Sequence, residues 1–227
     1  MEKEQEKSFE LQELCKKYNI NLEALEKEQK NLAKNIELKD TINFNLADKF
    51  GAIGSSFFEN KIISSAVIIN PSLETVEQEY FSDILRFPYI PGFRAYRELP
   101  AMMQAFQKLD EKPDVVFIQG HGIAHPRLGL ASHFSILTGV PTIGITDSLL
   151  SGTIKSEDII FNNKKVGKVL QSKQGSKPLF ISPGNLITIK SAYELAKKLI
   201  KEPHKFPEPM HIASKYAKEV RDEIYKK

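Results

Sequence analysis

Cysteine is nearly missing from this sequence: Cys15 is the only one in 227 residues. A single thiol can close no intrachain disulfide, and a cysteine-based zinc cluster is excluded as well. Long hydrophobic runs are missing too. No apolar stretch approaches the roughly 20 residues that a membrane-spanning helix needs, and the opening MEKEQEKSFE is too charged for a signal peptide. These absences predict a soluble, cytoplasmic protein without a membrane partner. Charge of one sign is scarce: the formal net charge is +3, which ordinary solubility explains. Lysines nevertheless gather at both ends of the chain and between Lys164 and Lys177, where a groove tracking a nucleic-acid backbone could use them. No internal repeat and no Gly/Ser-rich linker divides the chain.

Hydrophobic residues make up 41% of the chain, enough for the core of one generous α/β domain. Residues 1–39 are polar, with Leu11, Leu14, Tyr18, Leu22, Leu25, Leu32 and Ile36 spaced mostly by three, four or seven. That period predicts one or two amphipathic helices, an N-terminal extension through which a protein partner could bind. The remaining residues, 40–227, read as the domain proper. Phe50–Gly54, Ile62–Ile69 and Val76–Phe81 predict an antiparallel meander with its first turn at Glu59-Asn60. A helix is expected over Pro100–Leu109, with Pro100 in its first turn. Val115–Ile118 is a short continuous apolar run, as in a central parallel strand. A loop over Gly120–Gly129, a helix over Leu130–Thr138 and a strand over Pro141–Ile145 follow. Short strands at Lys165–Leu170 and Leu179–Ile181 precede helices over Ser191–Lys201 and from His211. The order predicts one mixed α/β sheet with helices on its faces.

Three segments go beyond what packing requires. Phe87-Pro88-Tyr89-Ile90-Pro91-Gly92-Phe93, followed by Tyr96-Arg97-Glu98, is a loop stiffened by two prolines that can present Tyr89 outward. Gln119-Gly120-His121-Gly122-Ile123-Ala124-His125-Pro126-Arg127 directly follows a buried strand, at a sheet end where ligands commonly bind. Val140-Pro141-Thr142-Ile143-Gly144 follows Ala131-Ser132-His133. The His121 and His125 pair has metal-like i, i+4 spacing, but Gly122 and Pro126 argue against a helix there. His133 reads as a hydrogen-bonded structural histidine. Ser132 beside it is no hydrolase dyad, because helical neighbours do not face each other.

In combination, PYIPG, R-E, G-H-G-I-A-H-P-R and P-T-I-G resemble the endonuclease V family from about Asp48 to Pro209, most densely from Phe87 to Gly144. The resemblance implies a ribonuclease-H-like mixed sheet with helices on both faces. It implies Mg²⁺-dependent cleavage of DNA or RNA near a deaminated base, typically inosine. Tyr89, with Pro91 and Gly92, matches the family's wedge, a rigid aromatic that stacks where a base has been pulled from the helix. Gly120, Gly122 and Gly144 would let the backbone approach that base. His125 and Arg127 would lie at a phosphate or the pocket rim.

The family's metal ligands are incompletely matched. Such chemistry gathers carboxylates around Mg²⁺ to activate water and hold the scissile phosphate. Gly54 stands at the first Asp position, Gln119 at the second, and Glu98 alone remains as a catalytic carboxylate and weak metal ligand. Asp147 replaces the family's Lys, Asn185 its His, and Lys190 the Asp beyond it. Gly54→Asp with Gln119→Asp would be expected to rebuild the ligand set. The resemblance therefore implies an endonuclease V-like protein that holds deaminated nucleic acid without cutting it, with no metal held tightly. One alternative is an active Mg²⁺ nuclease, with Glu98 and Asp147 forming a relocated two-carboxylate site. The other is a protein-interaction module on a vestigial nuclease fold. A plainer role for Glu98 is an ion pair with Arg94 or Arg97.

Overall fold

A computed structural model describes residues 2–225. Two helices, α1 (Glu2–Lys17) and α2 (Leu22–Leu32), come first. The hairpin β1 (Phe50–Phe58) and β2 (Lys61–Ile69) turns at Glu59, whose φ is +51°. Strand β3 (Thr75–Ile84) completes the meander. Helix α3 (Arg94–Gln107), β4 (Val115–Gln119), α4 (Leu130–Thr138) and β5 (Thr142–Thr146) follow. Then come β6 (Thr153–Lys155), β7 (Asp158–Phe161), β8 (Lys164–Leu170) and β9 (Leu179–Asn185). Helices α5 (Ile189–Lys198) and α6 (Glu208–Tyr225) close the fold.

All nine strands join one sheet in the order β3-β2-β1-β4-β5-β9-β8-β7-β6. Strands β1, β4 and β5 are parallel neighbours, and the remaining pairings are antiparallel. Residues alternate between the faces of a strand, and here each face has its own core. Ile53, Val116 and Ile118 pack with Ala95, Leu99 and Met102 of α3 and Phe134 of α4. Ala52, Phe117 and Ile145 pack with Leu195 of α5 and Met210 and Ala213 of α6. Strand β4, buried from Val115 to Ile118, occupies the central position that its apolar run predicts.

Two expectations need correction. Pro100 lies inside α3 rather than in its first turn, because the helix already begins at Arg94. Proline is a start signal by itself, but Tyr96-Arg97-Glu98 is already helical before it. Strands β6 and β7 were not anticipated. Their signal was present in Asn162-Asn163, both at positive φ (+50° and +60°), which makes the tight turn into β8.

The crossing of α6 over the hairpin is unusually close. Gly54 of β1 pairs with Ser65 of β2, and two small residues in register let the helix backbone touch the sheet. A Cβ added at position 54 would fall on the Ala213 carbonyl and 2.7 Å from the Ser214 nitrogen. Ser65 Oγ donates to Ala213 O at 2.7 Å. Gly54 is thus a packing residue here, with no space for any side chain.

Candidate nucleic-acid interface

The carboxyl ends of β4 and β5 open into the loop that begins at Gly120. This loop folds back tightly on β9: Gly122 N–H donates to Ser182 Oγ at 2.9 Å and Ile123 N–H to Pro183 O at 2.9 Å. A Cβ on Gly122 would meet the Pro183 carbonyl, and one on Gly144 would lie 2.6 Å from Gly120 O. At Gly120 the neighbour is Leu130, 3.2 Å away. The protein's own atoms occupy the room these three glycines leave.

The Phe87–Phe93 loop borders the same region. Tyr89 is 61% exposed, as a proline-flanked loop allows, while Ile90 and Phe93 anchor the loop in the interior. Gly92 sits at φ +81°, and a Cβ there would lie 2.8 Å from Arg127 Nη2. Arg127 itself turns inward. Its Nε donates to Gln29 Oε1 at 2.6 Å, its Nη1 to Glu26 Oε1 at 2.9 Å and its Nη2 to Gly92 O at 3.3 Å. The guanidinium also lies over the Phe93 ring at 4.4 Å. Fully buried Gln29 donates in turn to Gly92 O at 3.1 Å. Arg127 therefore ties α2, the Phe87–Phe93 loop and the β4–α4 loop together.

His125 is buried, and its Nδ1 accepts the Arg127 N–H at 3.1 Å. Burial pushes its pKa down to about 3, helped by His121 and Arg127. Burial also lowers the pKa of His121, whose Nε2 lies 3.1 Å from Ser148 O. Both rings are accordingly neutral near pH 7 and offer hydrogen bonds without positive charge. His133 departs from the expectation: its buried Nδ1 has no hydrogen-bond partner among the described residues, and the ring meets Tyr96 edge-on at 5.7 Å. Burial lowers its pKa to about 4.

Two adjoining cavities result. The first, about 150 Å³ and partly open to solvent, is walled by Tyr89, Pro91, Gly92, His121 and His125. The second, about 280 Å³, is bordered by Ser55, Glu98, Gln119 and Asp147. Arg94, Leu130, Thr146 and Ser148 border both. Glu98 and Gln119 border the same cavity, and Gly54 stands beside Gln119 in the sheet, one residue beyond the Ile53–Ile118 pair, but is closed off beneath α6. Its neighbours Ile53 and Ser55 face the second cavity instead.

Glu98 is 3% exposed and fully engaged. Arg94, one helical turn earlier, donates from Nε to Oε1 and from Nη2 to Oε2, both at 2.8 Å. Burial alone would lower the Arg94 pKa, but the hydrogen bonds and charge of Glu98 raise it above the usual value. Arg97 turns elsewhere, to Phe87 O at 3.0 Å. Asp147 is half exposed and lies 3.5 Å from Lys205 Nζ. Asn185 is buried and uses its Oδ1 to accept the Glu37 N–H at 2.7 Å. Lys190 is exposed in the first turn of α5, behind the cap Thr188.

This donor set does not fit a divalent cation. Position 54 has no room for a carboxylate, both Glu98 oxygens are occupied by a guanidinium, and Gln119 is neutral. Among the described residues no group of three or more His, Cys, Asp or Glu could hold a metal. Arg94 is one of the two partners that the sequence offers Glu98, whereas Gln29 went unrecognised. The i, i+4 spacing of Arg94 and Glu98 is legible once the helix is started at Arg94; nothing local marks Gln29.

A family model described as Endonuclease V matches residues 30–215. Endonuclease V of Thermosipho melanesiensis is 37% identical over 221 residues, covering 93% of this chain and 89% of the relative. The crystal structure of the Bacillus subtilis Endonuclease V superposes with a TM-score of 0.84 at 27% identity, over 91% of this chain and 94% of that one. Ciona intestinalis Endonuclease V, solved with a DNA containing an inosine followed by a ribo-adenosine, shares the fold at 24% identity. Its TM-score is 0.82, over 89% of this chain and 98% of that one.

Proposed function

The chain belongs to the Endonuclease V family, and from that premise we propose that it holds deaminated, inosine-type DNA or RNA without cutting it. One observation carries this reading: an open cavity under an exposed Tyr89 adjoins a carboxylate whose cation position is already filled. Tyr89 stacks against the extruded base or the gap it leaves. The neutral His121 and His125, with Pro91 and Gly92, line the space for the base and supply hydrogen bonds rather than charge. Gly120, Gly122 and Gly144 act indirectly, by letting the loop pack closely enough to shape that wall. Mg²⁺ has no tight place in this scheme, so no hydrolytic step is assigned.

The test is a titration of labelled strands with and without one inosine, together with a nicking assay in Mg²⁺ and in Mn²⁺. Preferential binding of the inosine strand with background nicking is expected. Tyr89→Ala should weaken binding roughly ten- to a hundredfold, since base–aromatic stacking is worth about 1–3 kcal/mol. Equal, weak binding of both strands, indifferent to Tyr89→Ala, refutes the reading and moves the protein to the interaction-module alternative. A second reading has one observation in its favour: Glu98 and Asp147 border the same cavity. Robust nicking that Asp147→Ala abolishes would establish that relocated centre.

A further inference from the structure

In a metal-dependent nuclease site a divalent cation screens the carboxylates from the phosphate. Without it, a buried carboxylate repels the strand it should hold. Glu98 poses this problem here, since it is almost completely buried in the wall of the second cavity. The answer lies on the same helix. Arg94 covers both Glu98 oxygens with a two-pronged pair, a geometry in which charge compensation and orientation come together. That pair uses Nε and Nη2 only. Nη1 makes no hydrogen bond among the described residues, and Arg94 borders both cavities. A nucleotide has the same two-part form, with a planar base on one side and an anionic phosphate on the other.

We propose that Arg94 stands in for the divalent cation: its guanidinium neutralises Glu98 and, through Nη1, holds a backbone phosphate while the base occupies the Tyr89 cavity, so that binding needs no metal. This rests on the strand-binding reading above and adds the anchoring residue and its independence of metal. Gln119 fits the same scheme, as a neutral amide at the cavity mouth where a carboxylate would repel phosphate.

The signs of the variants separate this from a metal site. Fluorescence anisotropy of the full chain with a labelled inosine-containing strand is measured in EDTA and in Mg²⁺, at two salt concentrations. The unmodified protein should bind in EDTA and should not tighten when Mg²⁺ replaces the chelator. Glu98→Gln removes the carboxylate and leaves Arg94 unpaired, so binding in EDTA should strengthen about three- to tenfold and become more salt-dependent. Arg94→Gln alone would strand a buried carboxylate and could unfold the site, so the double variant Arg94→Gln/Glu98→Gln is used with it. That variant keeps a neutral, similarly shaped pair, and should bind about tenfold more weakly than Glu98→Gln with a shallower salt slope. Weakening by Glu98→Gln, or equal affinity of the single and double variants, overturns the inference while leaving the strand-binding reading intact. So does binding that appears only with Mg²⁺. No binding in either condition sinks both.

Discussion

Gly54→Asp would place a carboxylate where the resemblance in the first strand expects one, and the fold gives this substitution a definite outcome. The added Cβ would fall on the Ala213 carbonyl and 2.7 Å from the Ser214 nitrogen. These are backbone atoms in the middle of α6, held by Ser65 Oγ at 2.7 Å, so no side-chain rotation relieves the clash. Forcing one extra methyl-sized group into a packed core costs about 1–3 kcal/mol, which sets the expectation for Gly54→Ala. For a chain of this length that corresponds to roughly 2–4 °C in Tm per kcal/mol, a fall on the order of 2–12 °C. Asp adds a carboxylate with no partner under a helix, so Gly54→Asp should fall further. Gln119→Asp, at an exposed strand end, should melt within about a degree of the parent, as surface changes usually do. Thermal unfolding followed by circular dichroism, with urea titration alongside, checks the series. A Gly54→Asp protein that melts with the parent would refute the packing argument. If the Gly54→Asp/Gln119→Asp pair then also nicked inosine-containing strands, the metal-ligand role of position 54 would stand instead.

Three further outcomes follow from the same geometry. Arg127→Gln loses the charged hydrogen bonds to Glu26 and Gln29, each worth about 1.5–3 kcal/mol; hydrogen exchange over residues 22–32 and 87–93 should accelerate together. If Arg127 instead contacts phosphate, exchange is unchanged and the salt slope of binding drops by about one. His125 and His133 have folded pKa values depressed to about 3 and about 4, so the unfolded chain takes up protons first. Their contribution is complete above the unfolded pKa, about 6.5, and is lost as pH falls from there towards the folded values. The limiting slope is about 1.4 kcal/mol per pH unit for each ring. The doubly substituted His125→Gln/His133→Gln protein should show a flatter acid limb in urea-unfolding free energy, and an unchanged limb would contradict the assignment. Lys205→Ala removes a half-buried partner of half-exposed Asp147 that also lies 5.5 Å from the Phe206 ring and should change stability by no more than about 1 kcal/mol, read from the same urea curves.

The sequence by itself determined the sheet's centre, the helix over Leu130–Thr138 and the meeting of the Phe87–Phe93 and Gly120–Gly129 loops at one sheet end. Those features are local. A continuous apolar run such as Val115–Ile118 has few alternatives to a buried central strand, and a glycine–histidine–proline loop after it cannot continue the strand. Residue identity also fixes that positions 54 and 119 bring no carboxylate, since no folding changes what glycine or glutamine can ligate. The tertiary structure decided which groups compete for the same space. Gly54 reads alone as a missing ligand, yet α6, some 160 residues later in the chain, packs its backbone on it. Arg127 reads as a phosphate contact until Glu26 and Gln29 arrive from the N-terminal helix to claim it. Glu98 reads either as a surviving catalytic residue or as a partner of Arg94 or Arg97, and only the start of α3 at Arg94 selects that guanidinium, one turn away on the same face. A side chain's partners depend on distances between segments remote in sequence, and hydrophobic period and turn chemistry do not specify those distances.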